Sequence, residues 1–266
     1  MQPGFGGAIA LTTGYARDPL VLSSGAQRLA VVSNEAFAEI GAAGNYGPLR
    51  LSLDFAMPLA LSGQSGTLGG YAYTGPSVDL GTNPDSISDV RIGADLRLVG
   101  APGTRFRFGL GAQLFVPSAT PEDTRADYVT DGIVRAMFRA LVAGDIGAWR
   151  YAGQLGVHVR PLNEWPIPGG PDGSELLFGA AAGRRFDAGT SWAFVVGPEV
   201  FGETAFVSFF GKTTTGAEAL LTGRFEGIGR GAQARFKLGV GGGINPQFGA
   251  PEWRIVLSVE LFSNRP

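Results

Sequence analysis

The residues of this sequence that could do chemistry are mostly arginines and carboxylates, and they recur at every second position of many segments. In the segment DVRIGADLRL (89–98), Asp89, Arg91, Asp95 and Arg97 occupy one set of alternating positions and aliphatic residues fill the other. A strand with this period of two has one charged face and one apolar face. Such charges can pair with each other, or they can attract ions and polar solutes from water. The charged face is therefore the candidate functional feature.

His158 is the single histidine and so the one candidate for an imidazole base. Serine hydrolysis needs a nucleophile and an orienting group within hydrogen-bond reach of the base, and no sequence motif supplies the serine. The inward neighbours of His158 are expected to be arginines such as Arg160, which disfavour the protonated imidazole that proton transfer requires. We therefore expect no catalytic residue and no enzyme. A hydrolase that uses His158 is the alternative from another class.

The lack of cysteine and the single histidine also limit cofactors. Disulfides, thiolate metal sites and cysteine nucleophiles are excluded, and so is a multi-histidine metal site. The glycine-rich segments GVGGG and GGAIA do not lead into a helix, so they are not phosphate loops. The sequence predicts neither a metal nor a cofactor.

The composition is poor in charge, with 17% charged and 44% hydrophobic residues and a formal net charge of -2. Because a basic footprint is lacking, nucleic acid is not expected as a partner. No apolar run reaches the roughly 18 residues of a transmembrane helix. The start MQPGFGGAIA lacks the features of a signal peptide. The sequence still allows strands that cross a membrane.

The alternating segments recur from end to end and predict about twelve strands. Short spacers rich in turn residues lie at 43–47, 100–104, 144–148, 187–190 and 226–231. Longer connections alternate with them, at 62–88, 118–131, 162–173, 202–213 and 243–251. Two less distinct strands, at 7–22 and 27–42, complete the even number. Both chain ends then lie on the short-turn side.

Three observations indicate which face of the strands points inward. Apolar faces of about 10 to 12 residues, at roughly 3.3 Å per residue and a tilt near 40°, span about 25–30 Å, the thickness of the hydrocarbon layer. Glycines such as Gly93 and Gly109 share the charged face, where the concave wall of a barrel gives long arginines room beside small neighbours. Trp149, Trp192 and Trp253 lie near strand ends, as in an aromatic girdle.

A sheet that faces lipid must pair all of its backbone donors and acceptors within the chain, so it has to close on itself. The sequence therefore predicts an all-β fold, a closed antiparallel transmembrane β-barrel of about twelve strands. We expect a single domain over residues 1–266, with short periplasmic turns and longer extracellular loops. The alternative is a soluble β protein whose apolar faces form a core.

Segments along nearly the whole chain resemble the N-terminal transmembrane barrel of OmpA-family outer-membrane proteins. They are YARDPLVL, RLSLDFAMPLAL, SDVRIGADLRLVG, GVHVRP, SELLFGAAAG, VGPEVFGET, TTTGAEALL and INPQFGAPEWRIVLSVE. The resemblance implies a place in the bacterial outer membrane, with outer-membrane lipid as a partner. Proteins of that family often continue into a peptidoglycan-binding domain. We therefore expect peptidoglycan as a partner only through a C-terminal domain that this chain does not contain.

The inward set of charged residues predicts what lines the barrel. The predicted pore-lining residues are Arg91, Asp95, Arg97, Arg105, Arg107, Arg135, Arg139, Arg150, His158, Arg160, Glu175, Glu199, Glu218, Arg224, Arg235, Lys237, Arg254 and Glu260. Many of the arginines fall on neighbouring strands, so opposite charges are expected to be segregated across the lumen. Such a transverse field suits a small passive diffusion pore for small polar or anionic solutes.

Two other interpretations of the lumen and its loops stay open. Buried arginines need carboxylate partners, so ion pairs could close the lumen. The protein would then be a structural or anchoring barrel that acts through its loops or through the missing C-terminal domain. The connection at 62–88 is long enough to fold into the mouth as a constriction or to form an external recognition surface.

Overall fold

The computed structural model describes residues 5–81, 89–118, 128, 130–162, 173–189, 191–211, 213–228, 231–245 and 249–264. These residues form fifteen β-strands and one short 3₁₀ turn at Phe206–Ser208. The strands are β1 (Phe5–Ser24), β2 (Gln27–Tyr46), β3 (Leu49–Ser62), β4 (Gly66–Leu68), β5 (Tyr71–Tyr73), β6 (Ser77–Asp79), β7 (Asp89–Val99), β8 (Arg107–Pro117), β9 (Arg135–Ile146), β10 (Trp149–Val159), β11 (Glu175–Ala188), β12 (Trp192–Ala205), β13 (Thr215–Gly227), β14 (Gly231–Gly243) and β15 (Trp253–Asn264).

Twelve of these strands close into a barrel. The wall runs through β1, β2 and β3 and then from β7 to β15 in chain order, each strand antiparallel to the next. Strand β15 pairs with β1, from Gly6 opposite Asn264 to Arg17 opposite Trp253, and this closes the ring. Closure leaves the wall without a free edge, as a sheet in lipid requires. The predicted closed antiparallel barrel is confirmed.

Apolar side chains cover the outside of the barrel. Leu96, Phe138 and Leu257 are 43%, 56% and 50% exposed. Charged side chains at the alternating inward positions are buried instead, with Asp89 at 2% and Glu175 at 4% exposure. The alternative of a soluble β protein with a dry apolar core is therefore wrong. Among the described residues, no helix is long and apolar enough to cross a membrane.

The short turns gather at one end of the barrel, which we call the short-turn end, and the longer connections at the other, the long-loop end. Two-residue turns join β2 to β3 and β9 to β10. Gly47 and Gly147 open these turns with φ of 58° and 60°, a left-handed conformation that glycine adopts without strain. Phe5 faces Tyr46 beside the first of these turns, so the start of the described chain lies at the short-turn end, as predicted.

The first two strands are longer than predicted, with 20 residues each, and a two-residue turn at Gly25 and Ala26 joins them at the long-loop end. The predicted bounds of 7–22 and 27–42 were too short because the alternation weakens at their ends. Beyond the barrel wall this hairpin packs on a small apolar cluster in which Leu20 and Val32 contact Leu61 and Val78.

The described part of the connection between β3 and β7 lies along this hairpin. Strand β6 extends the sheet beside β3, and β4 pairs with β5 in a small hairpin of its own. Gly66 of β4 approaches the side chain of Leu29, since an added Cβ would lie 3.1 Å from it. This connection therefore forms an external rim over residues 63–81, and its residues 82–88 lie outside the described part of the chain.

Candidate functional site in the barrel lumen

Inward charges on neighbouring strands meet as ion pairs. Arg139 of β9 reaches across β8 to Asp95 of β7, with Nη2 2.9 Å from Oδ1. Gly111 of β8 lies between them, and an added Cβ there would overlap the Asp95 carboxylate. The glycines on the charged face thus make room for arginine side chains, which is the role that the alternating pattern indicates.

Similar pairs occur around the lumen. Arg91 Nη1 lies 2.8 Å from Glu39 Oε2, Lys237 Nζ lies 2.9 Å from Glu199 Oε1, and Arg254 Nε lies 2.9 Å from Glu218 Oε2. Predicted lumen residues of both signs are thereby brought together. The predicted segregation of charge across the lumen is wrong, because the strands that carry the arginines also carry or adjoin carboxylates. Four of these carboxylates are Asp89, Asp95, Asp131 and Asp145.

A dense network lies at the long-loop end, and we call its five members, Asp89, Asp131, Arg135, Arg160 and Glu175, the long-loop network. Asp131 precedes β9 and accepts from Arg160 Nη2 at 2.7 Å and from Arg135 Nη1 at 3.1 Å. Arg135 also donates to Asp89, and Arg160 donates to Glu175. Because Asp131 belongs to a connection rather than a strand, the network ties that connection to the barrel wall.

The two arginines change the ionisation of Asp131. Burial alone would raise the pKa of this carboxyl, but the hydrogen bond and charge of Arg160, with the charge of Arg135, outweigh it. The pKa of Asp131 is therefore held below its ordinary value. The ionised form of Asp131 is the one that joins the connection to β9 and to the end of β10.

His158 lies beside this network in a different setting from the one predicted. Its Nδ1 lies 3.3 Å from Glu175 Oε2, and its ring packs on Phe115 at 5.2 Å between centroids. The polar group within hydrogen-bond distance of His158 is the Glu175 carboxylate, which sequence reasoning did not foresee, and the same carboxylate accepts from Arg160. His158 Nε2 has no hydrogen-bond partner among the described residues. A base and an orienting carboxylate are present, but no described serine makes a hydrogen bond with His158 Nε2, as a catalytic triad would require.

Two groups of three side chains mark the short-turn end. Asp145 lies between Arg107 Nη2 at 3.6 Å and Arg150 Nε at 3.3 Å. Glu226 lies between two other guanidinium groups, those of Arg224 and Arg235. Each carboxylate and one of its arginines flank a short turn, because Asp145 is paired with Arg150 and Glu226 with Arg235 in the strand register. We call these groups the Asp145 triad and the Glu226 triad.

The two triads line one cavity of about 430 Å³, the short-turn cavity. Its wall also includes small residues, among them Ala152, Ala181 and Gly197. Six basic side chains and three carboxylates line it. The basic ones are Arg107, Arg150, Arg185, Arg224, Arg235 and Lys237, and the acidic ones are Asp145, Glu199 and Glu226. The short-turn cavity is thus rich in positive charge.

A second cavity of about 240 Å³ lies on the other side of the lumen. Glu35, Glu39, Arg91 and Arg254 supply its charged wall, and Tyr128 enters from the connection between β8 and β9. Tyr128 therefore brings this connection to the lumen. Burial raises the pKa of Tyr128, and nearby Tyr73 adds to the shift.

Two predicted residues lie away from these groups. Arg105 precedes β8 and is exposed in the short turn, so the predicted start of that strand was two residues early. Arg97 is half-buried next to the irregular register at the end of β7. The remaining predicted member, Glu260, pairs with Arg235 at 2.5 Å.

Sequence reasoning missed Asp131, Asp145 and Glu226. All three fall in segments taken as connections, namely 118–131, 144–148 and 226–231. The alternation contains a signal for two of them, since Asp145 keeps the parity of Arg139 and Glu226 keeps that of Arg224. The position of Asp131 has no such signal.

The comparisons with known proteins give matches only at the level of structure. No protein-family model matches the sequence, and no curated protein matches it. An outer membrane channel from Pseudomonas putida F1 matches with a TM-score of 0.58 and 12% identity, over 100% of this chain and 96% of that one. The NanC porin matches with a TM-score of 0.54 and 6% identity, over 97% of this chain and 100% of that one. These likenesses show the fold, which is that of outer-membrane β-barrels.

Proposed function

We propose that this protein is a small passive diffusion pore of the bacterial outer membrane for small polar or anionic solutes. The observation that carries the proposal is the short-turn cavity, a space of about 430 Å³ with charged walls inside a barrel that is apolar outside. Charged walls lower the cost of moving an ion or polar solute out of bulk water. The likeness in fold to an outer membrane channel and to a porin agrees with this role.

Water access to the wall supports an open lumen. Ala152 and Gln154 of β10 have the same inward parity as Arg150, and both are exposed. A lumen sealed along its whole length would bury such side chains. The outward apolar side chains would contact outer-membrane lipid, and we propose neither an enzyme activity nor a nucleic-acid partner.

Planar-bilayer recording tests the pore. Purified protein in KCl should give discrete conductance steps, and charge reversal by Arg107→Glu or Arg139→Glu should shift the ion selectivity toward cations. Arg28→Glu is the matched control, because Arg28 is exposed on the β1–β2 hairpin away from the lumen. If wild-type protein gives no steps above those of a mock purification, the pore is ruled out.

The long-loop network favours a second candidate, a structural barrel with a lumen closed by ion pairs. Such a barrel would act through its loops or, given the resemblance to the OmpA family, through a peptidoglycan-binding domain outside this chain. Liposome swelling separates the two candidates. A closed barrel leaves proteoliposomes impermeable to arabinose, whereas a diffusion pore makes them swell.

A further inference from the structure

We propose that the short-turn cavity is a binding site for small organic anions with carboxylate groups. The inference deepens the proposed pore by naming its solute class, and it rests on that function for its physiological meaning. Binding itself does not need conduction, so the two can fail separately. The two triads and the cavity that they line form the site.

The Asp145 triad has one carboxylate for two guanidinium groups. Arg107 comes from β8 and Arg150 from β10, and both approach the same Asp145. The pair of arginines thus keeps an excess of one positive charge. The distance of 3.6 Å to Arg107 is longer than an ordinary charged hydrogen bond, so this arginine can take a better acceptor.

The Glu226 triad repeats this arrangement. Arg224 Nε lies 3.2 Å and Arg235 Nε 3.1 Å from the same oxygen, Oε2 of Glu226. Arg235 has a further acceptor in Glu260, whereas the buried Nε of Arg224, although 3.2 Å from Glu226, makes no hydrogen bond to a described residue. The Nε of Arg107 in the Asp145 triad is likewise buried and makes no hydrogen bond to a described residue. Each triad therefore contains an arginine whose hydrogen-bonding capacity is not filled.

A carboxylate is the ligand that fits such arginines. The planar guanidinium presents its donors in a fork that matches two carboxylate oxygens, and it stays charged at any physiological pH. The arginine pair of the Asp145 triad can hold one such group alongside Asp145, because it carries two charges against one. In the Glu226 triad Glu260 balances the charge of Arg235, so Arg224 is the arginine that can take the second carboxylate. The two triads line the same cavity, so a solute with two carboxylates can bind one triad with each carboxylate.

The cavity has space for such a solute. Ala143, Ala152, Ala181, Gly183 and Gly197 form parts of its wall, and their short side chains leave the arginines extended into an open volume. About 430 Å³ lies within the size range of small-molecule sites. The other charged pairs on the wall, such as Lys237 with Glu199, are balanced and add no competing excess of negative charge.

Isothermal titration calorimetry of the detergent-solubilised protein with succinate tests the site. Wild-type protein should bind succinate saturably, and acetate should bind more weakly because it has one carboxylate. Arg107→Gln and Arg224→Gln should each weaken succinate binding by about tenfold, the effect expected for loss of one charged hydrogen-bonding partner. Inorganic phosphate, titrated in parallel, tells a carboxylate site from a general anion site.

The matched variants give effects of opposite sign. Glu226→Gln removes the competing carboxylate and should tighten succinate binding, whereas Arg28→Gln removes a positive charge outside the lumen and should leave it unchanged. A purely structural role for the triads would make Glu226→Gln neutral or harmful. The proposal is overturned if wild-type protein does not take up succinate, if phosphate binds as tightly as succinate, or if Glu226→Gln fails to tighten binding in folded protein.

A measurement on wild-type protein alone guards against variants that do not fold. Succinate added to a bilayer in KCl should reduce the chloride current in a saturable way, and an equal ionic strength of added KCl should not. Succinate binding without any conductance would refute the pore and leave the site standing. Conductance without succinate binding or block would refute the site and leave the pore standing.

Discussion

The two ends of the lumen use the same residue types in opposite proportions. In the long-loop network, three carboxylates surround two arginines, and Asp131 lies within hydrogen-bond distance of both of them. In the short-turn cavity, six basic groups and three carboxylates line the wall, and Glu260 and Asp187 outside that wall pair with Arg235 and Arg185, which leaves an excess of one positive charge. The first arrangement gives each of its arginines two carboxylate partners and joins a connection to the wall. The second leaves positive charge in excess beside open space, so the ratio of charges separates a structural cluster from a candidate binding site.

Arg160→Gln should give the largest effect, because it breaks the long-loop network. Asp131 and Glu175 would lose a buried partner, and removing one member of a buried ion pair costs about 3–5 kcal/mol. The folded form, followed by heat-modifiable mobility in gel electrophoresis, should melt at a clearly lower temperature than the wild type. Unchanged melting would mean that the network does not hold the connection.

Gly111→Ala should come next, since it affects the Asp95–Arg139 ion pair, which lies between the two ends of the lumen. An added Cβ would overlap Asp95 and crowd Arg139, and overpacking of this kind costs about 1–3 kcal/mol. The same melting assay measures the loss. Gly44→Ala is the control, because an added Cβ there meets no atom within 4 Å.

Acid should weaken the long-loop network through Asp131. A carboxyl whose pKa is lowered in the folded state stabilises it fully above its ordinary pKa of about 3.9, and this contribution is lost as the pH falls through the lowered value. Melting at pH 7 and at pH 3 should therefore differ more in the wild type than in Asp131→Asn. Equal acid sensitivity of the two proteins would assign the effect to other carboxylates.

Arg150→Gln should have the smallest effect on stability. Asp145 would keep Arg107 as a partner, so the loss should stay below about 1 kcal/mol, in the range of a partly exposed ion pair. A loss as large as that of Arg160→Gln would contradict the contrast between the two ends.

Part of this site follows from the sequence by simple geometry. Alternation places Arg139 and Asp95 on the inward face, and the two-residue turn at 147–148 sets Asp145 opposite Arg150. The third member of each triad was harder to predict. Arg107 reaches Asp145 from the neighbouring strand β8, and Arg224 reaches Glu226 from two positions earlier on β13. The register between strands far apart in sequence is fixed by closure of the barrel and not by local pattern.

The long-loop network could not be predicted in this way. Asp131 precedes β9 in a connection whose conformation no alternation encodes, so its pairing with Arg160 was not foreseen. For the same reason the sequence left open whether the connection at 62–88 folds into the mouth, and it gave no indication that Tyr128, from the connection between β8 and β9, lines a lumen cavity. Patterning predicted the wall of the barrel well and its loops poorly.

The long β1–β2 hairpin offers a means of finding the orientation of the chain in a cell. Its tip at Gly25 stands clear of other atoms, since an added Cβ there meets nothing within 4 Å, and exposed turn tips of this kind tolerate insertions. An epitope inserted between Gly25 and Ala26 would label that tip without disturbing the wall. Antibody staining of intact cells would then show whether this end of the molecule faces the medium.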